Sequence, residues 1–273
     1  MIGHLSVGSV ILAHQGYAGH AALIVGVLAA TAWFVHTRTY HWDAVVAWGG
    51  GTGAFLVASS PPFEALADRT FTGHMVQHLL LIVVAAPLLV VAMVRSRPLG
   101  GARRLPRWLR SRNIWLAPVA ALAFVAVLVV THLTGIYEAA LRHRWIHELE
   151  HGSYLVVAVA VWAAMLAGAT RARTVAPVGR ILATFVLIGG TALLGVVLLS
   201  APRALNDTYV DRLGATAALA DQQAAGAIMW IGGMALTLPA LVAAVWRWAS
   251  AEEAIALRRE QMLGSLVSRD DER

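Results

Sequence analysis

The sequence predicts an all-α fold: a polytopic membrane helix bundle of seven transmembrane helices, with its amino terminus outside and its carboxyl terminus inside. Three observations carry this. Of 273 residues, 59% are hydrophobic and only 13% charged, and the mean hydropathy is +0.68, far more apolar than a soluble domain. The apolar residues fall into seven segments of about 20 residues, the length that spans a bilayer. Arg supplies all 21 basic charges and concentrates in a few connections on one side, which the positive-inside rule places in the cytoplasm.

In chain order the segments lie near His20–His36, Asp43–Ser60, Gly73–Val94, Ile114–His132, Leu149–Thr170, Ile181–Ala201 and Ala224–Trp248. Ahead of them, Leu5–Ala13 is apolar but short, and no Arg precedes it, so it reads as an outer segment or an extension of the first helix rather than a signal peptide. The second span carries Gly49-x-x-x-Gly53, the sixth Gly189-Gly190 and Gly195, and the seventh Gly232-Gly233. Small residues of this kind let helix backbones approach. The third span opens after Thr70 and Thr72, either of which can cap it, and Pro87 should loosen it near Val83. Between the fourth and fifth spans, Tyr137, Leu141 and Trp145 suit a short helix lying in the interface. The connections Arg95–Arg112 and Arg171–Arg180 hold seven and three Arg. Residues 1–248 therefore form the seven-helix domain and 249–273 a short charged cytoplasmic tail.

This composition excludes several functions. The +6 net charge sits in loops rather than along a stripe, which argues against a nucleic-acid partner; lipid is the expected environment. Cysteine is absent, so there is no disulfide, thiolate metal site or thiol redox chemistry. Any soft-metal ligand must be Met or His.

Given the orientation, nine of the eleven histidines fall at the outer ends of the spans; His36 and His41 lie inside. His74/His78, His143/His147 and His147/His151 are each four residues apart, which puts two imidazoles on one helical face. A lone interfacial histidine is unexceptional, and His143 reads as a solvated residue. Two pairs at one depth, with Met75 beside the first, point to a metal or haem. Glu150 reads by default as a helix-capping carboxylate, with ligand or imidazole partner as the alternatives. Asp221 likewise reads as a cap of the seventh span and Met229 as packing, though its depth keeps it in view as a soft ligand.

The segments HMVQHLLL (74–81), GIYEAAL (135–141) followed by HELEH (147–151), and DQQAAGAIMW (221–230) together resemble the polytopic CtaG-type cytochrome c oxidase assembly factors, the membrane family associated with caa-type oxidases. The resemblance implies a non-enzymatic assembly factor of the bacterial cytoplasmic (inner) membrane that helps to build the copper centre of a haem–copper oxidase. It carries His74, Met75 and His78 from the first motif, His132, His147 and His151 from the second, and Asp221 and Met229 from the third as metal residues. The cargo it implies is copper, and the partners are the oxidase catalytic subunit and a soluble copper carrier on the outer face. An unrelated assembly protein of the same name has one span and essential cysteines, which this sequence excludes. Imidazole and thioether donors suit Cu(I), and neutral ligands at an exposed mouth would allow stepwise release to an acceptor. Two other classes fit the histidines: a bis-His haem protein and a metal-free scaffold for oxidase maturation. A di-iron enzyme of the desaturase kind also uses HxxxH boxes, but resembles this chain less, because its boxes face inward.

Overall fold

The computed structural model describes residues 23–98, 114–166 and 177–271. His4, His14, His20, the segment Leu5–Ala13 and most of the two Arg-rich connections lie outside the described residues. The chain runs α1 (Leu23–Thr37), β1 (Arg38–Thr39), α2 (Trp42–Ala58), α3 (Pro61–Arg69) and α4 (Phe71–Arg95). There follow β2 (Arg97–Pro98), α5 (Leu116–Leu133), α6 (Gly135–Arg142), α7 (Arg144–Leu166), α8 (Pro177–Ser200), α9 (Asp207–Leu213) and α10 (Ala215–Asp271). Among the described residues the fold is all-α apart from β1 and β2, which pair antiparallel with Arg38 opposite Pro98.

Within the described residues each apolar segment read from the sequence overlaps a helix. Among the described residues five helices, α4, α5, α7, α8 and α10, are long and apolar enough to cross a membrane; α1 and α2 are shorter. Val46, Val119, Leu122, Val156, Phe185 and Leu193 point outward from the bundle, as lipid-facing positions should.

The helix α4 is the hub, packing against α2, α7 and α10, while α8 packs on α5 and α10. Its residues Leu80–Ala85 wind as a π-helix. Pro87 has no N–H to offer the Val83 carbonyl and its ring crowds that carbonyl, so the expected loosening takes the form of a wider turn. Trp162 Nε1 of α7 donates to the Ile82 carbonyl at 2.9 Å, which satisfies an oxygen inside that turn.

Close approach uses small residues, but not all of those singled out from spacing. A Cβ at Gly232 would stand 2.6 Å from Leu79 Cδ1, whereas Gly49, Gly53 and Gly189 face open space. On α2 it is Gly51 that meets α4, where a Cβ would stand 3.0 Å from the Leu89 backbone nitrogen. Three consecutive glycines put a small residue on every side of α2, so the i,i+4 spacing does not report which side is covered.

At the end of the bundle away from the histidine pairs, Arg95 Nη1 meets Asp43 Oδ2 at 2.5 Å. Arg38 Nη1 donates to Met93 O at 3.1 Å and to Ser96 Oγ at 2.9 Å. The expected tail from residue 249 continues α10, whose 57 residues span about 85 Å at about 1.5 Å per residue.

Candidate metal centre

The site begins with how α4 starts. Its first amides have no helical acceptor, and three oxygens supply one. Thr70 Oγ1 accepts from Gly73 N at 3.1 Å. The Asp221 carboxylate accepts from Phe71 N at 2.5 Å and from Thr72 N at 3.2 Å. Asp221 thus caps α4 rather than its own helix, and both oxygens face backbone amides rather than the imidazoles. A Cβ at Gly73 would stand 2.6 Å from the Leu66 carbonyl oxygen, so glycine is what lets α3 fold back against the first turn of α4. Gln77 Nε2 then donates to Ala58 O at 2.7 Å, fixing α4 about its axis. Next to Asp221, Gln222 accepts from Leu205 N at 2.7 Å and donates to Leu198 O at 3.2 Å. Asp221 and Gln222 thus tie α10 to the start of α4 and to the end of α8.

Held this way, α4 turns His74 and His78 toward the end of α5 and the start of α7. Ring centroids are 4.0 Å apart for His74 and His78, 6.4 Å for His74 and His132, and 5.9 Å for His78 and His132. One nitrogen from each of these three rings lies within 4.8 Å of the other two. From α7, His147 lies 5.5 Å and His151 6.3 Å from His74, His151 lies 5.1 Å from His78, and His147 and His151 are 4.1 Å apart. Five imidazoles from three helices form one cluster. Burial increases along it, from partly covered His147 through His151 to His132, His78 and His74.

The polarity of the cluster is unusual for a membrane interior. Both ring nitrogens of His74 and His78, Nε2 of His132 and of His151, and both carboxylate oxygens of Glu150 are buried without a hydrogen-bond partner. Each such atom costs about 1–3 kcal/mol when left dry, which a coordinated cation would offset. Within the cluster His132 is the most defined. Its Nδ1 lies 3.0 Å from the Leu128 carbonyl, which can only accept, and 3.0 Å from the Tyr154 hydroxyl. The proton therefore sits on Nδ1, leaving the buried, unpartnered Nε2 as the nitrogen with a free lone pair.

Tyrosines wall the site. Tyr137 packs edge-on to His74 with centroids 4.6 Å apart, and Tyr154 packs on His78 at 4.5 Å. Tyr137 is fully buried, contrary to an anchoring place in the interface. It sits on the inner side of α6, over His74 and His132, and only Trp145 of that aromatic set is strongly exposed. The Tyr137 and Tyr209 hydroxyls are 3.1 Å apart, and Tyr209 donates to Ala67 O at 2.8 Å. Burial pushes both phenols above the ordinary tyrosine range, so they stay protonated donors.

Among the residues expected at a metal site, His74, His78, His132, His147 and His151 come together. Met75 and Met229 are buried in the apolar core with Phe71, Tyr137 and Tyr154. His143 is exposed and ends α6. Glu150 is not a cap. It lies well inside α7, is buried, and brings Oε2 to 3.9 Å from His74 Nε2. Sequence alone does not separate a capping from a buried carboxylate near a helix start.

A family profile described as cytochrome c oxidase caa3 assembly factor (Caa3_CtaG) matches residues 22–251. The chain is similar to an uncharacterised protein of Mycobacterium bovis, at 25% identity over 83% of this chain and 37% of that protein. A second uncharacterised protein, from Mycobacterium leprae, is 24% identical over 93% of this chain and 42% of its own length. The chain thus spans about two fifths of the length of these relatives. No solved structure matches it.

Proposed function

Because the chain belongs to the cytochrome c oxidase caa3 assembly factor family (Caa3_CtaG), we propose that it carries copper to the catalytic subunit of a haem–copper oxidase. In this reading Cu(I) is cargo, held by His74, His78 and His132. The observation that carries it is the meeting of three imidazole nitrogens within 4.8 Å, in a buried cluster where they lack other partners. Neutral imidazoles suit a copper ion, and with no thiolate in the chain the ligands are proof against disulfide formation in an oxidising compartment. The chain is a multi-pass protein of the bacterial inner membrane, with α1 and α2 completing seven spans. The amino terminus and the histidine end face outward, where a soluble carrier delivers copper. The edge-on packing of His74 on Tyr137 favours a small ion over a haem macrocycle.

The test is complementation of a deletion strain with His78→Ala and His132→Ala. Each should reach the membrane at normal level yet leave the oxidase with several-fold less copper and activity while its haem is retained. Excess copper in the medium should restore part of the loss, since mass action can replace a carrier. A fully copper-loaded oxidase with both variants would overturn this reading in favour of a scaffold that needs no metal.

A further inference from the structure

We propose that Tyr154 is the positioning residue of the copper site: its hydroxyl fixes which nitrogen of His132 is offered to the ion, while its ring backs His78. The inference rests on the copper reading of His74, His78 and His132 and names what sets the geometry of that site.

Local spacing brings the parts together. On α5, Val127 and Leu128 precede Thr131 and His132 by one helical turn, so their carbonyls lie within reach of the two side chains. On α7, Tyr154 follows His151 by three residues and shares its face of the helix. Tyr154 is fully buried, and Thr131 and His132 are buried beside it.

The protons in this corner have one consistent arrangement. Three oxygens surround His132 Nδ1: Leu128 O at 3.0 Å, the Tyr154 hydroxyl at 3.0 Å and Thr131 Oγ1 at 3.2 Å. The Leu128 carbonyl can only accept, so Nδ1 carries the proton and the Tyr154 oxygen accepts a share of it. The Tyr154 proton then goes to Thr131 Oγ1, which the hydroxyl touches. Thr131 in turn donates to the Val127 carbonyl at 2.9 Å. The chain from His132 through Tyr154 and Thr131 ends on a backbone oxygen, which cannot reverse it. With Nδ1 committed, Nε2 of His132 is left for the ion, buried and without another partner.

His74 and His78 differ from His132. Both nitrogens of each ring lack a hydrogen-bond partner, so packing orients them. The Tyr154 ring supplies part of that packing for His78, with centroids 4.5 Å apart. Tyr154 thus touches two of the three ligands, one through its hydroxyl and one through its ring.

The experiment measures Cu(I) affinity of the purified full-length protein in detergent under nitrogen, by competition with a coloured Cu(I) chelator. Tyr154→Phe keeps the ring and removes the hydroxyl, and should weaken Cu(I) binding by about tenfold, the scale for losing a ligand's hydrogen-bond partner. In a His132→Ala background the same change should have less than about a twofold effect, because the hydroxyl acts through His132. Thr131→Val should weaken binding in the same direction, and Thr131→Ser, which keeps the acceptor, should return it to near the wild-type value. A tyrosine that only supports the fold would lower thermal stability and leave affinity per folded chain unchanged, or lower affinity equally in both backgrounds. Either result would overturn the inference. The Thr131 pair carries the test by itself if Tyr154→Phe does not elute as folded protein: equal affinity of Thr131→Val and Thr131→Ser would overturn it too. Wild-type affinity in His132→Ala would instead remove the copper reading of the three histidines, whereas loss in His132→Ala with none in Tyr154→Phe removes only the role given to Tyr154.

Discussion

Asp221 shows what one residue can and cannot disclose before its structure is known. From the sequence it reads as a cap on its own helix or as a metal ligand. Its partners are the amides of Phe71 and Thr72, about 150 positions away in the chain, and no local pattern reports such a pairing. Its two oxygens make charge-assisted bonds to the first turn of α4, so Asp221→Ala should destabilise the protein by about 1–2 kcal/mol, the usual scale for a lost cap, and Asp221→Asn by less. Thermal unfolding in detergent measures the loss, and copper per folded chain should stay at the wild-type value. A variant of normal stability that has lost its copper would instead make Asp221 a ligand. The histidines were far more legible, because i,i+4 spacing is a statement about one helical face. Glu150 was not, since a carboxylate near a helix start has the same sequence appearance whether it caps, solvates or meets a cation.

At the scale of the element, α4 and α2 show how far spacing can be trusted. The pattern of α4 disclosed a cap at Thr70 or Thr72, of which Thr70 serves, its paired histidines and its disturbance at Pro87, because each follows from the chain's own backbone chemistry. The partner faces were hidden, because the glycines of α2 serve several sides equally. Gly49→Ala should change stability by no more than about 0.5 kcal/mol, as a substitution facing open space usually does. Gly73→Ala should be worse by more than about 1 kcal/mol, since the added methyl would meet backbone at 2.6 Å and α3 must then move off α4. Because His74 follows directly, its copper affinity should fall as well. Parallel melting curves and copper titrations of the two variants check both statements; equal stability would mean that the α3–α4 corner yields freely.

For the whole molecule, composition and Arg distribution settle that this is a membrane bundle and predict which end is outside. They do not show how three helices close a site, since His132 is joined to His74 only by tertiary packing. The orientation is open to a direct test in a chain without cysteine. Arg203→Cys, on the exposed connection after α8, should react with an impermeant thiol reagent in intact cells, and Glu260→Cys, on the exposed end of α10, only after the membrane is permeabilised. The reverse pattern would put the histidine end in the cytoplasm and remove the outward-facing carrier role. The π winding of Leu80–Ala85 bears on how such a chain can vary in length. Elsewhere in a helix, gaining or losing one residue turns everything beyond it by about 100°. Here one surplus residue is already held within the turn, so α4 behaves as two segments whose phases are set separately. The part that presents His74 and His78 and the part that seats Leu88 and Leu89 on α2 can each drift in sequence without forcing the other out of alignment.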